Sequence, residues 1–145
     1  MKIRSSQDVG LRLSMEKLED IINEAVRRII ALPGSEKVEF IYLYGSAAYG
    51  KSHGGSDIDI CICHGGTEKE AYKFLLSAMS SIDNSVLDIK LFRQLPLYIR
   101  IDVFKGRLLF SKDISRVYEL AYDTIKEYDE FEPRFYDYIG KKAIQ

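Results

Sequence analysis

The sequence predicts an α+β fold: a small mixed β-sheet of about four strands with flanking helices. Apolar residues recur at helical spacing near the N-terminus, and short β-branched runs then alternate with helical segments. The connections between those runs are long enough to join parallel strands. At 145 residues the natural organisation is a single domain over 1–145. Its expected parts are an N-terminal helix at about 14–32, a core at about 38–111 and C-terminal helices at about 112–142.

The elements follow in order. From Ser14, a good N-cap, Leu18, Ile21, Ile22, Ala25, Val26, Ile29 and Ile30 mark an amphipathic helix that Pro33 and Gly34 stop. VEFIYLY (38–44) is β-branched and aromatic and ends at Gly45, which predicts a buried strand. Residues 46–51 allow a helical turn or two. DIDICIC (57–63) is a second strand, with Asp57, Asp59, Cys61 and Cys63 on one side and Ile58, Ile60 and Ile62 on the other.

Thr67 with Glu70 three residues on is a capping box for a helix to about Ser81. SVLDIKLF (85–92) is a third strand that turns Asp88 and Lys90 away from Leu87, Ile89 and Leu91. A short helix after Pro96, a strand at RLLF (107–110) and a helical region divided by Pro133 complete the chain. Helices cover at least one face of this sheet, and the other is expected to carry the aspartates.

Composition narrows the function. With 46 % hydrophobic and 30 % charged residues the chain is neither disordered nor fibrous, and a net charge of -1 gives no global attraction for nucleic acid or membrane. Direct nucleic-acid binding is therefore not expected. Lys90, Arg93, Arg100, Lys105 and Arg107 form the one strongly basic segment, read as solvated surface. Cys61 and Cys63 are too close together to staple loops, which points to a reducing cytoplasm. Neither a signal peptide nor an apolar run of about 18 residues is present.

The informative stretch is YGSAAYGKSHGGSDIDI (44–60). Two carboxylates one residue apart on a strand repel each other unless something binds them. Hard cations such as Mg²⁺ take one or two carboxylates together with substrate phosphates. Asp57 and Asp59 suit that arrangement, and Asp88 is expected to complete a three-carboxylate cluster able to hold a second ion if strand order brings its strand alongside. Gly45 permits close backbone approach to a phosphate, Ser46 offers a hydroxyl, and a following helix would present free N–H groups. Gly50, Gly54 and Gly55 let the loop fold back.

This pattern of strand, Gly45-Ser46, spacer and Asp57-Ile58-Asp59 resembles the DNA polymerase β-like nucleotidyltransferases. GSAAYG, KSHGGS and DIDI resemble more narrowly the minimal nucleotidyltransferases of prokaryotes, the antitoxin partners of HEPN-domain toxins. Ala48, Gly50 and Ser56 match that motif too, whereas Tyr49 stands where those proteins carry an arginine. LDIKLFRQLPLYIRIDVFKGRLLFSKD (87–113) is similar to their third-carboxylate strand, Pro-containing helix and GRLLY strand.

The resemblance implies an ATP-dependent, Mg²⁺-assisted enzyme, with two ions held by Asp57, Asp59 and Asp88 and nucleotide contacts from Gly45, Ser46, Ser56 and Lys90. AMP would pass from ATP to a hydroxyl, expected to be a tyrosine, on a cognate HEPN ribonuclease toxin. Relatives with other acceptors generally add a second domain for which 145 residues leave no room. The alternatives are an antitoxin that neutralises by binding alone and a transferase for a small-molecule hydroxyl such as an antibiotic's.

Other residues receive plainer readings. Cys61, Cys63 and His64 are expected to pack rather than bind zinc, for want of a fourth ligand. His53 is expected in an exposed loop. Lys90 either contacts the triphosphate or pairs with Asp88. Tyr118, Tyr122, Ile125 and Tyr128 repeat at helical spacing as a core stripe, with partner docking as the alternative.

Overall fold

The computed structural model describes residues 6–49, 58–82 and 85–143. Its helices are α1 (Ser6–Ile30), α2 (Glu68–Ser81), α3 (Leu97–Phe104) and α4 (Ile114–Ala143). The strands are β1 (Val38–Tyr44), β2 (Ile58–His64), β3 (Leu87–Leu91) and β4 (Arg107–Ser111), in spatial order β3-β2-β1-β4. The sheet is mixed: β1 runs antiparallel to β2 and β4, while β2 and β3, joined through α2, run parallel.

Alternation along the strands separates two cores. Ile41, Leu43, Ile58, Ile60, Ile62, Ile89 and Leu91 face α1 and α2, which contribute Ile22, Ala25, Ile29, Ala71, Phe74 and Ala78. The opposite face buries Phe40, Tyr42, Tyr44 and Cys61 against Phe92, Leu95, Val103 and Val117. Val38 and Phe40 lie in different cores despite sharing parity, because the pairing of β1 with β2 shifts between them. Phe40 anchors the second core edge-on to Tyr42 and Phe92, with ring centroids 5.3 and 5.2 Å away. The aspartate face is therefore not bare. Helices α3 and α4 cover it over β1, whereas at β3 the side chains of Asp88 and Lys90 on that face stay partly exposed.

The Thr67 capping box forms as read, Thr67 Oγ1 accepting from Glu70 N and Glu70 Oε1 from Thr67 N, both at 3.1 Å. Three expectations are corrected. Helix α1 begins at Ser6 rather than Ser14, since Leu11, Met15 and Leu18 carry the helical spacing back past the serine. Helix α4 runs through Pro133 without a break; a proline removes one backbone donor, and helix on both sides carries the chain across it.

Of the α4 stripe only Tyr128 is half-buried, and the other three members are not core. Tyr118 and Tyr122 are 70 % and 67 % exposed and Ile125 48 %, because the helix packs through Val117 and Thr124 on a neighbouring face. Residues 117 and 124 lie a full heptad apart, so the buried seam is offset from the aromatic one.

Candidate active site

Strand β1 ends where β2 and β3 begin, so three elements converge at one end of the sheet. Tyr44 pairs with Asp59 in the antiparallel ladder, and Asp59 pairs with Asp88 in the parallel one. Directly opposed residues share a face, giving a single row of Tyr44, Asp59 and Asp88. Strand spacing puts neighbouring members about 4.8 Å apart along the row. One step inward, Tyr42, Cys61 and Lys90 form the next row.

Gly45 follows Tyr44 with φ +71°, in the left-handed region that glycine enters without penalty. A β-carbon there would lie 2.5 Å from Asp59 Oδ2. The glycine thus turns the chain and makes room for the carboxylate in the same step. Ser46 is exposed and opens a 3-10 turn, Ser46–Tyr49, held by Ala48 N donating to Gly45 O at 3.2 Å. This is one of the one or two helical turns expected at 46–51, and residues 50 and 51 lie outside the described residues. Four residues offer a phosphate a few N–H groups but no aligned helix dipole.

Asp88 keeps 37 % of its side chain exposed, and its Oδ2 lies 3.4 Å from Lys90 Nζ. Of the two readings of Lys90, pairing with Asp88 is therefore realised in the fold. Asp57, Ser56, His53 and the loop glycines Gly50, Gly54 and Gly55 lie outside the described residues. Ile58 N donates to Val86 O at 2.6 Å, which holds the entrance of β2 against the start of β3.

The donor set suits a hard divalent cation. Asp59 and Asp88 offer oxygen ligands from one face, neither is fully buried, and Gly45 leaves the space beside them free of side chain. Among the described residues no group of three or more His, Cys, Asp or Glu gathers as a metal cage. Soft chemistry is disfavoured at Cys61 and Cys63. Burial pushes the Cys61 thiol well up, and burial with the charge of Glu39 pushes that of Cys63 up to about 12.

His64 packs, as expected. It is buried, Nδ1 accepts from Gly66 N at 3.1 Å, and Nε2 lies 3.3 Å from Gly34 O.

Two residues that sequence reading left aside border the site. Tyr44 is 6 % exposed. Burial first, and then negative charge at Cys61, Asp59, Asp88 and Asp102, push its phenol well above the ordinary range. The end of α3 docks on β1 at Gly106, where any β-carbon would strike the Leu43 carbonyl oxygen. The signal for Tyr44 was its position at the strand end before Gly45; nothing local marks Asp102.

The basic segment serves the fold. Arg93 donates to the carbonyls of His64 and Gly66 at 2.5 and 2.8 Å, Arg100 faces Glu127 at 3.7 Å, and Arg107 grips Glu19 at 2.8 and 3.1 Å. A cleft of about 410 Å³ at the opposite end of the sheet is lined by Lys37, Glu39, Lys112 and Arg116. Its cations are already engaged, Arg116 with Glu39, Lys37 with Glu70 and Lys112 with the Glu36 carbonyl. No helix among the described residues is long and apolar enough to cross a membrane.

Comparison with known proteins agrees with this geometry. The family model described as polymerase beta, nucleotidyltransferase matches residues 27–115. A Methanocaldococcus jannaschii protein named "putative protein adenylyltransferase" is 35 % identical over 98 residues, covering 68 % of this chain and 75 % of its own. A toxin–antitoxin crystal structure with AMP-PNP contains a chain of similar fold, with TM-score 0.64, 22 % identity and coverage of 88 % of this chain and 98 % of that one. A chain in the complex of tri-AMPylated Shewanella oneidensis HEPN toxin with MNT antitoxin gives TM-score 0.54 and 18 % identity, covering 93 % and 99 %. The two structures support the fold; the family rests on the matched domain and the archaeal relative. The chain belongs to the polymerase β nucleotidyltransferase family.

Proposed function

We propose that this chain is a protein adenylyltransferase that moves AMP from ATP to a hydroxyl, a tyrosine's, on a HEPN-domain toxin and so acts as its antitoxin. The observation that carries this reading is the pairing of Asp59 with Asp88 beside Gly45-Ser46 in a chain of this family. The archaeal relative's name and the toxin–antitoxin assemblies that share the fold supply the acceptor class.

In this reading the acceptor oxygen bonds to the α-phosphorus, the bond from that phosphorus to the bridging oxygen breaks, and pyrophosphate leaves. Asp88 takes the hydroxyl proton. Asp57, Asp59 and Asp88 are the residues that would hold Mg²⁺, which when bound neutralises phosphate charge. Gly45, Ser46 and Ser56 receive phosphate oxygens through backbone N–H and hydroxyl groups, and Lys90 divides its charge between Asp88 and the nucleotide. With no covalent intermediate on the protein, the residues contribute positioning and electrostatics.

Incubation with labelled ATP, Mg²⁺ and the HEPN protein encoded beside it tests the proposal. Label is expected in the partner; an unlabelled partner, with folded enzyme and intact ATP supply, rejects it.

The exposed seam of Ile114, Tyr118, Tyr122 and Ile125 favours one further reading, neutralisation by covering the toxin. Cells carrying an Asp57→Asn, Asp59→Asn chain decide between the two: protection equal to wild type favours covering, and loss of protection favours transfer.

A further inference from the structure

Strand β3 is an edge of the sheet, and among the described residues β2 is its one strand partner. Ile58 N donates to Val86 O at 2.6 Å, which fixes the sense of the parallel ladder. Along a strand the backbone N–H and C=O groups of successive residues point to opposite sides. Val86, Asp88 and Lys90 therefore bond inward to β2, and Leu87 and Ile89 direct their N–H and C=O groups outward. No turn, loop or cap hydrogen bond among the described residues reaches the backbone of either. The strand that carries Asp88 thus also carries an open row of backbone donors and acceptors.

Asp88 is closed on its other side. Asp59 opposes it on β2 and Tyr44 opposes Asp59 on β1, so the row is filled across three strands and open only beyond β3. In the transferase reading the nucleotide lies above the row, which leaves the acceptor hydroxyl a lateral approach. A strand laid antiparallel along the free edge would bond with Leu87 and Ile89. One of its residues would then face Asp88 in a non-hydrogen-bonded pair, about 4.5 Å away between Cα atoms and on the face of the carboxylates. Lys90, half of whose side chain is exposed, narrows the choice. A lysine at an edge discourages indiscriminate strand pairing. The residue facing it, two positions from the one facing Asp88, is favoured when acidic.

We propose that the free edge of β3 receives an extended segment of the HEPN partner as an added strand, with the acceptor tyrosine opposite Asp88 and an acidic residue opposite Lys90. The inference deepens the transferase reading and rests on it. The tyrosine oxygen bonds to the α-phosphorus, its proton passes to Asp88 and pyrophosphate leaves. Backbone hydrogen bonds supply affinity, and the alternating side chains select the acceptor.

Amide hydrogen exchange, followed residue by residue by NMR, tests this. In the free protein Asp88 and Lys90 are expected to exchange slowly and Leu87 and Ile89 fast. With saturating HEPN protein and a non-hydrolysable ATP analogue, Leu87 and Ile89 are expected to slow by about tenfold or more, the scale of one hydrogen bond. Unchanged exchange of both in that complex overturns the proposal. Leu87→Pro gives a second readout, because proline at the first residue of an edge strand removes an N–H that the sheet does not use. The folded variant is expected to bind the ATP analogue as wild type does and to lose about tenfold in kcat/KM for the HEPN partner. An unchanged kcat/KM overturns the proposal, and should the variant fail to fold, the exchange measurement on wild type decides alone. The two readings fail separately: label in the HEPN partner beside unprotected Leu87 and Ile89 rejects only the role of the edge, whereas no label from the wild-type chain rejects the transferase site itself.

Discussion

Asp59 and Asp88 stand opposite each other across the parallel pair of β2 and β3, 29 positions apart in sequence and neighbours in the sheet. Helix α2 makes this possible by returning the chain to the end of the sheet where β2 began. Two like charges in register destabilise an isolated sheet. Lys90 offsets part of that cost from the exposed side, and a bound cation would offset more.

Removing either charge is expected to abolish transfer while sparing the fold. Asp59→Asn and Asp88→Asn each lower the rate of AMP transfer by about 100-fold or more, as loss of one preorganised electrostatic group typically does. Their melting temperatures stay at or slightly above wild type, because like-charge repulsion is relieved. Label transfer and circular dichroism melts on the same preparations check both parts; a stable, fully active Asp59→Asn protein rules out the role assigned to it.

Gly45→Ala is expected to damage activity more than stability. The left-handed backbone costs a residue with a β-carbon roughly 1–2 kcal/mol, and that carbon also meets the Asp59 carboxylate. Denaturant unfolding reads the first effect and the transfer rate the second. A variant that loses stability yet transfers AMP normally shows that Asp59 tolerates displacement.

Acid should weaken the fold in two stages. Burial lowers the His64 pKa, so the folded state prefers the neutral ring; stability is intact above its ordinary 6.5 and erodes as pH falls below it. Hydrogen bonds from Lys37 first, and then from Thr67, hold Glu70 at about 2 against an ordinary 4.5. Its contribution is present above 4.5 and disappears as pH falls toward 2. Glu70→Gln is expected to flatten only the lower stage, and added salt to shrink it, since both partners are solvent-exposed. Denaturation curves from pH 7 to 2 that run parallel for wild type and variant contradict this.

Cys61 and Cys63 should resist alkylation in the native protein. With both thiols pushed up by burial, little thiolate exists at neutral pH. Iodoacetamide labelling followed by mass spectrometry is expected to be slow until denaturant is added; rapid native labelling of Cys63 would show that the end of β2 opens.

Much of this protein was decided locally. The period of two in DIDICIC separated Asp59 and Cys61 from three isoleucines, and the Thr67–Glu70 box marked the start of α2, because strand alternation and capping depend on near neighbours. The Gly45-Ser46 and Asp-x-Asp pattern was legible for the same reason, a short segment carrying its own geometry.

Tertiary structure alone decided which elements meet. Strand order set Tyr44, Asp59 and Asp88 in one row, and Gly106 let the end of α3 dock on β1. It also turned Tyr118 and Tyr122 outward on a helix whose spacing had promised a core. Helical periodicity states that a face is apolar, but what covers that face depends on long-range packing that a window of neighbouring residues does not contain.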